Sequence, residues 1–267
     1  MPEFHNKIIE IRNSKRIWAI GSIHGNINGI KKIQKHIKNN FDECDTIIYL
    51  GNIIGVGDYS TETITEVLEF RSDLMAKFKL NPQSVIFLRG AQEEMWLKLI
   101  ELQTSPNPKE IIEWMFEHGV DKTLISYKLS KDEINKIANS GTLNISKWTS
   151  KLNNQIELYK GHKEYYYSLN HAAYSDTKKI LFVNRGVDIS RPLSAQNDCF
   201  WWGYQGLTQI KNPYYTFKKI VRGYDPKKNG PIHDDIVCSL YKGSGFGDSI
   251  VAGLFSQNAE IFDLFEA

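Results

Sequence analysis

Three short segments hold the residues best suited to chemistry: SIHGN (22–26), GNIIGVG (51–57) and RGAQE (89–93). Each sets side chains that can coordinate, hydrogen-bond or carry charge among glycines that permit tight turns. His24 is a single imidazole, whereas a metal normally takes three or four ligands from protein, so alone it reads as a hydrogen-bonding group. Asp58, Asp188, Asp225 and Asp248 lie in or beside loops and read as turn and cap residues. Cys44, Cys199 and Cys238 are scattered, odd in number and without metal spacing, which suits reduced thiols in a cytoplasm. A tight turn explains any one glycine loop. Three in succession require a scaffold that repeats.

The elements around them supply that repeat. A β-prone run at 16–20 precedes the first loop, a second at 46–50 precedes the next, and a third at 84–88 leads into RGAQE. Ile30, Ile33 and Ile37 recur at helical spacing among lysines, and a further helix is expected from about 61 to 75. Strand, glycine loop and helix in that order predict an α/β sandwich with strand ends gathered on one edge, where function in such folds collects. Residues 92–170 read as mainly helical, broken at the two prolines of SPNP (105–108). Strand character returns at 180–183, 219–221, 235–240, 249–254 and 260–264. No repeat or low-complexity linker divides the chain, so residues 1–267 are expected to form one domain with a helical insertion at about 105–175.

Composition narrows the partners. Lys and Arg number 33 against 31 Asp and Glu, a net charge of +2, which argues against a nucleic-acid binder working through bulk charge. No apolar run approaches the roughly 20 residues that span a bilayer, and the polar start MPEFHNKIIEIRNSKR shows no secretory signal. The expectation is a cytoplasmic globular protein without nucleic-acid or membrane partners.

The loops also resemble, one by one, the GDxHG, GDxxDRG and GNHE motifs of the calcineurin-like metallophosphoesterases, with the bacterial serine/threonine-phosphatase-like branch the most similar. HGVDKTLISY (118–127) is similar to that branch's GGxxTLxSY, and FVNRGVDISRPLSAQ (182–196) to its FVHAGxDPxRPLxxQ. VRGYDP (221–226) stands where HGHTP belongs, and GSGFGD (243–248) where the terminal glycine-rich turn belongs. The resemblance implies a four-layered α/β/β/α sandwich and, in ordinary members, paired divalent cations that clamp a phosphoester and generate the hydroxide nucleophile. It also implies that most of the machinery is gone. The family's metal-ligand positions fall on Ser22, His24, Asn52, Ala91, Asn184 and Tyr224, of which only His24 keeps its type. The general acid falls on Gln92, and the Asp-Arg pair of DRG on Gly55 and Val56. Hard cations need anionic oxygens, so no metal or other cofactor is expected.

The glycines persist, together with Arg89 and Glu93, while Arg185 and Arg222 enter positions that are uncharged or imidazole in the family. A guanidinium can fill the place of a lost ion or hold a phosphate or carboxylate through two hydrogen bonds. The expectation is therefore a pseudophosphatase: no catalytic residues, and a degenerate cleft of His24, Asn52, Arg89, Gln92, Asn184, Arg185, Arg222 and Tyr224 that binds an anionic or phosphorylated ligand or serves a protein partner. Pairing of the arginines with Asp188, Asp225 or Glu93 is the plainer alternative. A rewired phosphoesterase and a structural subunit with its cleft filled are the other functional readings. Among the aromatic runs, 200–202 reads as core, and 165–167 as a helix packing its tyrosines or, alternatively, a partner surface.

Overall fold

A computed structural model describes residues 7–196, 198–203, 210, 212–228 and 230–267. Two sheets lie at its centre. The first contains β2 (Arg16–Ile20), β3 (Asp45–Tyr49), β4 (Val85–Phe87), β10 (Val251–Ser256) and β11 (Ile261–Glu266), in the order β11-β10-β2-β3-β4. Its β2, β3 and β4 are parallel, and β10 runs antiparallel to β2. The second contains β1 (Ile8–Ile11), β5 (Ala172–Ser175), β6 (Ile180–Val183), β7 (Lys219–Arg222), β8 (Ile232–His233) and β9 (Val237–Ser239), in the order β1-β5-β6-β7-β9-β8.

Period-two alternation sorts the side chains into layers. Ile17, Ala19, Ile48 and Ile86 of the first sheet share a buried cluster with Phe182, Val221 and Cys238 of the second, which places this core between the sheets. Trp18, Ile20, Ile47, Tyr49 and Phe87 point the other way, onto α1 (Ile27–Asn40) and α2 (Ser60–Phe78) through Ile30, Ile33, Ile37, Ile64 and Val67. The outer face of the second sheet, with Leu181, Val183 and Ile220, is covered by Phe200 and Trp201 of the short α9 (Cys199–Trp202) and by Tyr214 and Phe217. That fourth layer is thin among the described residues. One buried carboxylate ties the first two parallel strands: Asp45 accepts from Arg16 Nη2 at 2.7 Å and from Trp18 Nε1 at 2.8 Å.

The helical segment comprises α3 (Ala91–Ile100), α4 (Pro108–Glu117), α5 (Val120–Ser126), α6 (Lys131–Ile137), α7 (Thr142–Glu157) and α8 (His162–Ser168). Pro108 opens α4 in its first turn, where the missing N–H costs nothing. Three strands depart from the sequence reading. β1, β5 and β8 were not expected, and β5 occupies the last residues of the expected insertion, whose helices end at Ser168. β5 reads AAYS, too short and too small to show alternation; pairing with β1 across 164 positions makes it a strand.

Candidate functional site

The parallel strands β2, β3 and β4 end on one edge, and β6 and β7 of the second sheet end beside them. Their loops interlock through backbone contacts. His24 N and Ile23 N donate to the Asn52 carbonyl, Ser22 N donates to Gly223 O, and Gly223 N and Tyr224 N donate to Asn184 O. Gly51 is required by its surroundings: its φ is +84°, and a Cβ there would stand 2.6 Å from Gly90 N. Glu93, fully buried at the third position of α3, clips the loops together. Its carboxylate accepts from Gly90 N at 2.9 Å, Asn52 N at 2.8 Å and Ile53 N at 2.7 Å, and Tyr165 Oη donates to it at 3.3 Å. Burial pushes this carboxyl up, while the backbone donors pull it back towards the charged form.

At the floor, Ser22, Asn52 and Asn184 satisfy one another. Asn52 Oδ1 accepts from the backbone N–H of Gln92 at 3.0 Å, a partner that can only donate, so its Nδ2 must face the centre. Asn184 Nδ2 donates to the Leu50 carbonyl at 2.7 Å, a partner that can only accept, so its Oδ1 faces the centre as well. Asn52 Nδ2 then donates to Ser22 Oγ at 3.2 Å and reaches Asn184 Oδ1 at 3.5 Å. All three residues are buried. An amide nitrogen presents hydrogens where a cation would need lone pairs, so this donor set does not fit a divalent metal pair. Among the described residues no group of three His, Cys, Asp or Glu converges anywhere in a metal-holding arrangement.

Above the floor lies a cleft of about 320 Å³, into whose lining the structure brings His24, Asn52, Ala91, Gln92, Arg185 and Tyr224. His24 is buried against the rings of Tyr224, Tyr241 and Phe246. Neither ring nitrogen has a hydrogen-bond partner among the described residues, and burial lowers its pKa to about 3, so it is neutral. The backbone of Ile54 favours the charged form, without reaching hydrogen-bond geometry. Gln92 sends Nε2 to the His118 carbonyl at 2.8 Å and leaves Oε1 buried and unpartnered. Gly55 makes room for it: a Cβ at 55 would stand 2.0 Å from that oxygen.

The arginines divide. Arg222 is buried and turned away from the cleft, donating from Nη2 to Asp225 at 2.6 Å and from Nε to Ser239 Oγ at 3.2 Å. Arg89 pairs with Glu94 at 3.0 Å and lies over Trp201, outside the cleft lining. Asp188 is taken by Arg191 at 3.0 Å. Arg185 alone of the three lines the cleft, with its guanidinium carbon 5.7 Å from the Tyr224 ring centroid and no carboxylate partner among the described residues. Asn184 stays beneath, in the floor network.

Lining residues that escaped sequence reasoning include Met95, Phe116, Glu117, Asp121, Lys122, Trp202 and Phe246. Phe200 and Trp201 enter the core as expected, but Trp202, the last residue of α9, stays half-buried and lines the cleft. Phe246 also lines the cleft but is exposed; a large apolar side chain among the glycines of GSGFGD was the available signal. In 165–167, Tyr165 and Tyr166 are buried, and Tyr167 is 70% exposed. No helix among the described residues is long and apolar enough to cross a membrane.

No protein-family model and no curated protein matches the sequence. Solved structures do match, over nearly the whole chain. A candidate diadenosine tetraphosphatase superposes with a TM-score of 0.56 at 12% identity, covering 99% of this chain and 98% of that one. A protein serine/threonine phosphatase from Saccharomyces cerevisiae superposes with a TM-score of 0.53 at 14% identity, covering 98% and 84%. A cold-active protein-tyrosine phosphatase from Shewanella sp. gives 0.52 at 12% identity, covering 98% and 83%. At such identities the likeness concerns architecture, and with the paired sheets and the loop cluster it establishes that this chain has the calcineurin-like metallophosphoesterase fold.

Proposed function

We propose that this protein is a catalytically inactive member of that fold, a pseudophosphatase that works in the cytoplasm as a regulatory or binding protein and takes an anionic, phosphorylated ligand in its cleft. The closed network of Ser22, Asn52 and Asn184 carries the reading. Where paired cations would need anionic oxygens, neutral groups hydrogen-bond to one another, with both amides pinned by backbone partners that allow no reversal. Proton transfer is unsupported as well: an amide stands at Gln92, and the one retained imidazole, His24, is held neutral by burial.

Arg185 supports the anion. It lines open space and lacks a carboxylate partner among the described residues, so a phosphate would meet its guanidinium without first displacing an ion pair. The structural neighbours named as phosphatases support phosphate as that group. The volume left open beside Arg185 favours a ligand over a purely structural subunit with its cleft filled. Three unpaired cysteines, two of them buried, support a reducing compartment.

The test is elemental analysis of the purified protein together with a p-nitrophenyl phosphate assay in added manganese. The expected result is no stoichiometric metal and no turnover above the buffer rate. Stoichiometric metal with turnover that a chelator abolishes would replace this reading with that of a rewired phosphoesterase.

A further inference from the structure

His24 is sealed from water by a lightly held turn. Both of its ring nitrogens lack a hydrogen-bond partner among the described residues, although the residue is only 2% exposed. Buried polar atoms left in this state are costly, and contact with water would satisfy them. Part of the cover is the turn at 243–248. The Gly245 backbone lies so close that a Cβ there would stand 2.5 Å from His24 Cβ. The Phe246 ring meets the imidazole edge-on, with centroids 6.3 Å apart.

That turn is anchored at its base and loose at its tip. Ser244 is fully buried; its Oγ donates to Ile23 O at 2.8 Å, and its carbonyl accepts from Tyr241 Oη at 3.1 Å. On the far side of the tip, Ile250 bridges to Tyr241. Between these anchors residues 245–248 make one hydrogen bond among the described residues, from Phe246 N–H to Gly243 O at 2.9 Å, and it stays within the turn. Gly245 and Gly247 flank Phe246 at φ of +86° and +102°, and without a Cβ both can take other backbone conformations. The hold on the tip is weak. Phe246 remains 52% exposed, with Lys228 Nζ 3.5 Å from its ring centroid. Half a ring's burial and one surface cation–π contact thus oppose the hydration of two imidazole nitrogens, contributions of the same order.

We propose that residues 245–248 form a lid, hinged at Gly245 and Gly247, that opens in the folded protein and uncovers His24 together with the Phe246 wall of the cleft. The closed form dominates, and the open form is populated at about 0.1–10%. A ligand that contacts the uncovered imidazole draws the lid open, because it binds that form alone.

The experiment is carbethoxylation of the full chain by diethyl pyrocarbonate at neutral pH, followed residue by residue by mass spectrometry of its peptides. His36, with a side chain 41% exposed, gives the rate of an open imidazole, and the fully buried His162 gives the rate reached through unfolding. His24 is expected to react about tenfold to a thousandfold more slowly than His36, in proportion to the open fraction, and faster than His162. Its rate should stay flat in urea below the unfolding transition, since a local opening exposes little surface, while that of His162 climbs. Phe246→Ala removes the apolar hold and Gly245→Ala sets a Cβ against His24; each should raise the His24 rate about tenfold and keep it flat in urea. Should either variant fail to fold, the urea series on the wild type decides. The proposal is overturned if the His24 rate climbs with urea in step with His162, if it equals that of His36, or if folded variants leave it unchanged. No ligand enters these measurements, so a failure of the lid and a failure of anion binding are told apart.

Discussion

Asn52→Asp is the smallest change that returns a carboxylate to the floor of the cleft. Residue 52 is 1% exposed, and its Oδ1 is already engaged by Gln92 N at 3.0 Å. The new oxygen must therefore take the place of Nδ2, 3.2 Å from Ser22 Oγ and 3.5 Å from Asn184 Oδ1. The Ser22 hydroxyl can rotate to donate. Asn184 cannot adapt, because its Nδ2 is held by the Leu50 carbonyl at 2.7 Å, so its oxygen stays facing the new anion. The substitution thus removes one amide–amide contact, opposes two acceptors and takes a charge out of water. An unsatisfied buried group costs about 1–3 kcal/mol and an uncompensated buried charge about 3–5 kcal/mol. With two donors offsetting part of this, the expected loss is about 2–4 kcal/mol. Urea unfolding at neutral pH measures it as a lowered midpoint at unchanged slope, with and without millimolar manganese. A loss below about 0.5 kcal/mol, within the range of ordinary surface substitutions, would refute the claim that the network is closed. A midpoint in the wild-type protein that rises with manganese would refute the claim that the floor rejects a cation.

Three further outcomes follow from the same contacts. Glu93→Ala strips the acceptor from the backbone N–H groups of Gly90, Asn52 and Ile53 and is expected to cost about 3 kcal/mol in urea unfolding; a cost under about 1 kcal/mol would mean that water replaces the carboxylate. Gly55→Ala drives a Cβ against Gln92 Oε1 at a φ of +84°, and a loss of about 1–3 kcal/mol is expected. Gln92→Ala in the same chain should recover part of that loss, and no recovery would assign all of it to the backbone. His24 and His162 are held neutral by burial, with pKa values lowered to about 3 and about 4 from an ordinary 6.5. Because the unfolded chain binds those protons first, the stability tied to the neutral rings is complete above about pH 6.5 and is lost as pH falls towards 4. Thermal midpoints should drop across that window, and a flat or rising profile would contradict the burial of both rings.

Much of the scaffold was legible because local rules and tertiary demands agree in it. The runs at 16–20, 46–50 and 180–183 are apolar on both faces, as parallel strands buried between layers must be, and they became β2, β3 and β6. The helix carrying Ile30, Ile33 and Ile37 showed its buried face in its spacing. β1 and β8 were illegible for the opposite reason. IIEI gives no signal beyond its length, and a two-residue strand has no period to read, so each is a strand only by virtue of its neighbour.

The candidate site divides along the same line. Residue types alone determined that Ser22, Asn52, Ala91, Gln92 and Asn184 supply no charge, since ionisation is a property of the side chain itself. They also determined that arginines enter the loop cluster. Which arginine faces open space was decided only in three dimensions. Arg185 and Arg222 each end a strand-derived segment, but Asp225 lies within reach of Arg222, and no described carboxylate lies within reach of Arg185. The direction of each amide, the orphaned oxygen of Gln92 and the ring walls of Trp202 and Phe246 belong to the tertiary structure for the same reason. Hydrogen-bond satisfaction depends on which groups from distant loops arrive within about 3 Å of one another, and sequence order does not encode that distance.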